Sequence, residues 1–164
     1  MSGKDEILSL AIVDKEGKVL FNELIKPTSR QRWPKAQEIN GISPAMVKDK
    51  KKIGEYQEQI QRIFDAADLV VGYNTEFDLS FIRNAGIRYS GRVADVMLDF
   101  AEINGDWDDY HEDYRWQKLS KCAEYYGYDW GKTAAHDALA DTLATRFCFY
   151  RIVETRGDFH TYKM

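Results

Sequence analysis

Apolar and polar positions alternate along ILSLAIVD, residues 7–14, and again along VLFNELIKP, residues 19–27. Alternation rich in branched side chains predicts two strands. KEGK between them is a tight turn, with Gly17 where a positive φ is wanted, so the two strands form a hairpin. Residues 28–54 read as irregular and polar. Within them AQEINGISPAMV predicts a short helix, a break at Asn40-Gly41, and a second helix start capped at Ser43 with Pro44 at its first position. EYQEQIQRIFDAA, residues 55–67, puts Tyr56, Ile60, Ile63 and Phe64 on one face, the mark of an amphipathic helix. DLVVGYN is a short continuous apolar run, which suits a strand buried on both faces. FDLSFIRNAG predicts a helix stopping at Gly86. RVADVMLDF predicts a strand followed by the start of a helix. Residues 102–115, EINGDWDDYHEDYR, are acidic and aromatic and read as a loop. RWQKLSKCAEYYG predicts a helix ending at Gly127. AHDALADTLATRFCFYRIV, residues 135–153, predicts a strong amphipathic helix beginning near Asp137, with Trp130 in the loop before it. A hairpin followed by alternating helices and strands predicts an α/β layered domain with a mixed sheet.

The 164 residues favour one domain, spanning 1–164, with one core. Hydrophobic residues make up 44%, which argues against disorder. The net charge of −4 supplies no global basic footprint and so argues against a protein that coats duplex nucleic acid. Cys122 and Cys148 fall at apolar helix positions and read as free buried thiols of a reducing cytoplasm. No apolar run is long enough to span a bilayer and no signal peptide is recognisable, so a soluble, cytoplasmic protein is expected.

Chemistry concentrates at element ends. Asp78 follows the LVVGYN strand, and sites in open α/β sheets form at such carboxyl ends. A carboxylate there can equally cap the next helix. Asn74 either orients a ligand or holds the strand-to-helix turn. Asp141 lies one turn into the last helix, with Asp137 four residues earlier on the same face. Asp137 reads as a cap complementing the helix dipole. For Asp141, position alone leaves a ligand and a solvated face both open. A lone histidine such as His136 is more often structural or solvated. Asp14 and Glu16 sit at a hairpin tip and read as turn formers. The run from Asp106 to Asp113 lacks the glycine and ligand spacing of a calcium loop and reads as a solvated loop.

GYNTEFD contains N-x-x-F-D, carried by Asn74, Phe77 and Asp78. HDALAD contains H-x-A-x-x-D, carried by His136, Ala138 and Asp141. With the intervening elements in order, and with INGISPAMV between hairpin and first long helix, the chain resembles the DEDDh exonucleases, the family of the proofreading subunit of bacterial DNA polymerase III. The resemblance covers nearly the whole chain. It implies a ribonuclease H-like mixed β-sheet flanked by helices and 3′–5′ exonuclease activity on nucleic-acid 3′ ends. It also implies two Mg²⁺ or Mn²⁺ ions, with Asp78 and Asp141 as ligands and His136 as the proton acceptor. Asn74 and Phe77 would bind or support the substrate.

The family's first motif, D-x-E, lies on a first strand that should precede DEILSL. Asp5 and Glu6 do not replace it, because adjacent strand residues point to opposite faces. The resemblance therefore implies a sheet lacking the family's first strand, an incomplete ligand set and impaired turnover. It leaves two unpaired strand edges, which invite a homodimer. The alternative is a catalytically inactive nucleic-acid-binding or protein-interaction module of the same fold. A polymerase partner and the choice between DNA and RNA are left open.

Overall fold

The hairpin forms as its alternation predicts. In a computed structural model that describes residues 6–131 and 137–163, β1 (Ser9–Val13) pairs antiparallel with β2 (Val19–Leu24), Ser9 opposite Leu24 and Ile12 opposite Phe21. The tip turns at Gly17, where φ is +88°. The Asp14 carboxylate accepts from the backbone N–H groups of Glu16 (3.0 Å) and Lys18 (2.9 Å), so it is the turn former expected. Helix α1 (Pro34–Asn40) stops at Gly41 in the left-handed conformation, and α2 (Pro44–Val47) starts after Ser43. Ser43 holds the cap position without a side-chain cap bond. The buried Trp33 indole N–H closes the segment by donating to the Ile42 carbonyl at 2.6 Å.

A 3-10 turn at Ile53–Tyr56 leads into α3 (Gln57–Asp65), which buries Ile60 and Phe64. Strand β3 (Leu69–Gly72) runs parallel to β4 (Arg92–Asp95), with α4 (Thr75–Asn84) crossing between them. Helix α5 (Val96–Asn104) follows β4 directly. A two-residue strand near the C-terminus, unmarked by any pattern, pairs antiparallel with β4, placing Tyr162 opposite Val93. The sheet is therefore mixed, as expected, and is divided. β1–β2 and β3–β4 with the C-terminal strand share no ladder among the described residues.

Three expectations need correction. Residues 102–115 are not all loop: α5 continues to Asn104, and a small hairpin joins β5 (Trp107–Asp108) to β6 (Asp113–Tyr114). Trp107 stacks edge-on against Tyr114 at 5.0 Å, a cross-strand aromatic pair that holds so short a ladder. Helix α6 spans only Leu119–Tyr125, because the Tyr73 hydroxyl donates to the Gln117 carbonyl at 2.8 Å and Lys118 is extended. Helix α7 (Ala138–Arg156) is not one-faced. It lies against β1, β3, α5 and α6, so Phe147 and Phe149 join the core besides the stripe of Ala140, Ala144, Cys148 and Ile152. Pairing to β4 from that last strand, β7 (Tyr162–Lys163), is supported by an ionic cluster. His160 Nδ1 lies 2.7 Å from the buried Asp99 carboxylate, and Arg156 bridges Asp99, Glu102 and Asp158.

Two larger hydrophobic clusters fill the layers on either side of the strands, and a third, smaller one gathers Trp33, Ile42 and Val47. Phe21, Ile60, Phe64, Leu79, Ile82 and Val93 pack together on one side. Val96, Phe100, Cys122, Cys148 and Ile152 pack on the other, the two cysteines free and buried as read from the sequence. No helix among the described residues is long and apolar enough to cross a membrane.

The Asp95 carboxylate joins these parts. One oxygen accepts from the Asn74 N–H (3.0 Å) and the Met97 N–H (3.0 Å), the other from the Thr75 N–H (2.7 Å). One buried side chain thus caps α5 and fixes the first turn of α4, satisfying N–H groups that neither helix can bond internally. Replacing it by alanine strands three donors, two buried and the Asn74 N–H half-buried. Asp95→Ala is expected to lower unfolding free energy by about 3 kcal/mol in urea titration, with amide-exchange protection lost first at residues 74–78.

Glu6 has a comparable role at the start of β1. Its carboxylate accepts from the Thr28 N–H, the Ser29 N–H (2.9 Å), the Ser29 hydroxyl (2.7 Å) and the Arg30 N–H (3.0 Å). Partial burial works to raise its pKa, but these hydrogen bonds outweigh it and hold the group at about 2 instead of its ordinary 4.5. A depressed folded-state pKa means stability that is complete above pH 4.5 and fades as pH falls toward about 2. Melting temperature followed from pH 7 to pH 2 should fall more steeply over this window for the wild type than for Glu6→Gln.

Candidate functional site

Between β1 and β3 lies an open slot of about 770 Å³. Ser9 to Ile12 form one wall and Leu69 to Tyr73 the other, with side chains of α3, α4 and α7 lining it between them. All four residues of β3 are consequently half-buried, not enclosed on both faces as their apolar run predicts. In β4, paired on both edges, Val93, Ala94 and Asp95 are buried.

Asp78 and Asp141 both line this slot. Asp78 sits in the first turn of α4, with its N–H directed at the Asn74 carbonyl (3.5 Å). That turn depends on two small features. Asn74 has φ +64° and ψ +53°, a left-handed conformation that asparagine tolerates and most residues resist. Gly72 lies so close to the buried Thr75 that a Cβ there would stand 2.8 Å from the Thr75 hydroxyl. Asn74 therefore serves the strand-to-helix turn through its backbone, and its side chain makes no cap bond.

The Asp78 residue is open to solvent through the slot, yet its carboxyl is crowded by surrounding protein. That crowding, and then the negative charge of Asp95, push its pKa up to about 7. Neither effect is a helix-capping signature, which would lower it. A cation entering the slot would relieve both. Asp141 is half-buried one turn into α7, and its N–H donates to the Asp137 carbonyl at 2.9 Å. The capping role belongs to Asp137, whose carboxylate accepts from Leu139 N–H (3.1 Å) and Ala140 N–H (3.0 Å). Phe77 is 50% exposed, lines the slot and meets Phe81 edge-on at 5.0 Å. His136 lies outside the described residues.

The other acidic cluster is occupied by its own loop. Asp108 accepts from His111 and Arg115 side chains, each at 3.1 Å, and from the Tyr110 N–H at 3.0 Å. The His111 contact leads in holding its pKa near about 2. Among the described residues no three histidine, cysteine, aspartate or glutamate side chains gather as a cation site. Asp78 and Asp141 are thus two hard oxygen donors on one cavity, a partial set of the kind Mg²⁺ and Mn²⁺ accept. The sequence placed Asp95 only as an aspartate standing where the resembled family often has one before a helix, and its role in positioning the Asp78 turn was missed.

Comparison with known proteins agrees with this arrangement. The family model described as exonuclease, of the RNase T type, matches residues 2–146. A protein of Escherichia phage 186 described as the uncharacterized exonuclease CP81 is 30% identical over 151 residues, covering 85% of this chain and 76% of its own. A DNA polymerase III subunit epsilon-like protein of Rhodobacter capsulatus is 27% identical over 161 residues, 93% of this chain but only 22% of that longer protein. Among solved structures, exonuclease X in complex with 5′ overhanging duplex DNA superposes with a TM-score of 0.69 at 22% identity, over 94% of this chain and 87% of that one. A full-length 3′-exonuclease gives 0.64 at 12% identity, over 94% and 74%. These two likenesses establish the fold, the ribonuclease H-like α/β arrangement that the motifs imply. The family match spans residues 2–146, from before β1 into the middle of α7 with both slot-lining aspartates inside it, and the chain belongs to this exonuclease family.

Proposed function

We propose that the protein hydrolyses phosphodiester bonds at the 3′ ends of DNA, releasing nucleoside 5′-monophosphates. The observation that carries this reading is the convergence of Asp78 and Asp141, from two helices distant in sequence, on one open slot. DNA is favoured over RNA as substrate because exonuclease X was captured with a 5′-overhanging duplex, whose 3′ end is recessed.

Asp78 and Asp141 would hold divalent cations, which lower the pKa of water and neutralise charge building on the phosphate. His136 would accept the proton of the attacking water, a task suited to a group titrating near neutrality. Asp95 acts through the backbone, fixing the α4 turn that carries Asp78. The exposed ring of Phe77 offers a flat apolar face for a terminal base, a contact every base can make. A second reading, binding without turnover, draws on the absence of a three-ligand cluster among the described residues.

The test is 3′-labelled single-stranded DNA with Mn²⁺, comparing the wild type with Asp78→Asn and Asp141→Asn. Mononucleotide release is expected from the wild type and should fall about 100-fold or more in either variant, since a lost ligand removes several kcal/mol of charge stabilisation. Mn²⁺ should also raise the melting temperature of the wild type and not of the variants. Release unchanged in both variants would refute the assignment. Retained DNA binding with no release would select the second reading.

A further inference from the structure

We infer that the basic segment between β2 and α3, residues 26–52, is the docking surface for the body of a nucleic acid whose 3′ end enters the slot. The preferred substrate is then an end on a long or duplex strand and not a short oligonucleotide. The inference rests on the proposed nuclease reading and deepens it.

The net charge of the chain hides a strong local imbalance. Residues 26–52 hold eight lysines and arginines against two acidic residues, a net +6 in a chain whose total is −4. All eight basic side chains are exposed. Among the described residues no ion pair neutralises Lys26, Lys50, Lys51 or Lys52. The segment is tied down as one unit. Trp33, Ile42 and Val47 form its own small core, and the Glu6 carboxylate holds the backbone of residues 28–30. The Lys26 N–H donates to the Lys51 carbonyl at 2.9 Å, which sets Lys26 beside the lysine run. The Lys52 N–H donates to the Glu55 carboxylate at 2.9 Å, so the acid next to the run is spent on its backbone.

The position of this surface ties it to the slot. Ser9 pairs with Leu24, so the segment leaves the hairpin at its open end. Thr142 meets the Ala11 carbonyl, whereas Arg146 and Tyr150 meet Lys15 at the tip. Helix α7 therefore carries Asp141 toward the open end, the end where the basic segment begins. Arg30 and Asn40 line the slot together with Asp78 and Asp141. The basic surface thus starts at the slot and continues outside it through Lys26 and the lysine run. The β3 wall bears the opposite charge. There the Tyr73 hydroxyl bonds the Gln117 carbonyl and tethers the β5–β6 hairpin, whose Asp106, Asp109, Glu112 and Asp113 are exposed. A chain of phosphates leaving the slot is drawn to one side and repelled from the other. Duplex DNA carries one charge per ~1.7 Å of its axis, so the attraction grows with the length of the substrate. Nucleic acid is favoured over other polyanions because the basic path begins where the phosphodiester is proposed to be cut.

The probe is a duplex with a recessed 3′ end, titrated by fluorescence anisotropy with the full chain in the absence of divalent ions, so that nothing is cut. Log affinity should fall linearly with log salt concentration. Lys50→Gln/Lys52→Gln removes two phosphate contacts, so the slope should lessen by about 2 and binding should weaken about tenfold or more at low salt. Lys15→Gln/Lys18→Gln makes the same change of charge at the hairpin tip and should leave slope and affinity unchanged. Equal effects of the two double variants would show attraction to overall charge alone and overturn the proposal. So would a wild-type affinity that does not rise from a short oligonucleotide to the duplex. Loss of binding to phosphatidylserine vesicles in Lys50→Gln/Lys52→Gln, with DNA affinity intact, would assign the surface to a membrane instead. Hydrolysis of thymidine 5′-p-nitrophenyl phosphate by the wild type, a substrate too short to reach the lysines, reads the nuclease assignment by itself, so failure of either claim is visible apart from the other.

Discussion

A single buried carboxylate, Asp95, decides where the Asp78 turn can be. It ends β4, caps α5 and receives two N–H groups from the start of α4, so three elements meet on two oxygen atoms. The parallel ladder brings β3 and β4 level, with Gly72 opposite Asp95. That register lets the carboxylate reach across to the neighbouring turn. The left-handed Asn74 and the closeness of Gly72 to Thr75 follow from the same constraint, because the chain must reverse within two residues to present its N–H groups. Asp78 is held by the backbone geometry of that turn, and its carboxylate makes no hydrogen bond among the described residues.

The same constraint sets the electrostatics. A carboxylate fixed close to Asp95, in a crowded place that still opens to solvent, is an unfavourable anion, and its pKa near about 7 records this. Asp141 approaches from another layer and brings a second acidic group to the same cavity. Such a site is prepared for positive charge and poorly suited to standing empty at alkaline pH. In Asp108, by contrast, histidine and arginine partners satisfy the acid locally, and no unspent attraction for a cation is left.

Much of this was legible in the sequence because period and punctuation speak for local structure. The hairpin, the Asn40-Gly41 break and the Asp137 cap each depend on residues within a few positions of one another. The two motifs were legible for the same reason, as short strings. What escaped depends on contacts across the chain. The β5–β6 hairpin rests on an aromatic pair and on the contacts of Asp108 with His111 and Arg115, inside a segment whose acidity reads as loop. The short α6 is set by a tyrosine 44 residues earlier. β7 exists because His160 and Arg156 dock on Asp99 and bring a two-residue strand to β4. The apolar run of β3 announced burial on both faces, and it did so without knowing that one edge would face a cavity.

Helix α7 touches both β1 and β3, while those strands share no ladder among the described residues. Movement of the hairpin is therefore not passed to the Asp78 turn by stretched backbone hydrogen bonds, as it would be in an unbroken sheet. It travels through packed side chains, those of α3 and α4 on one side and of α7 on the other, and the Arg146 guanidinium and Tyr150 hydroxyl, bonded to the Lys15 carbonyl at 2.8 Å and 3.2 Å, anchor the hairpin tip to α7. The width of the gap between the strands is thus set by how the helices seat on both sides of it and not by a continuous ladder.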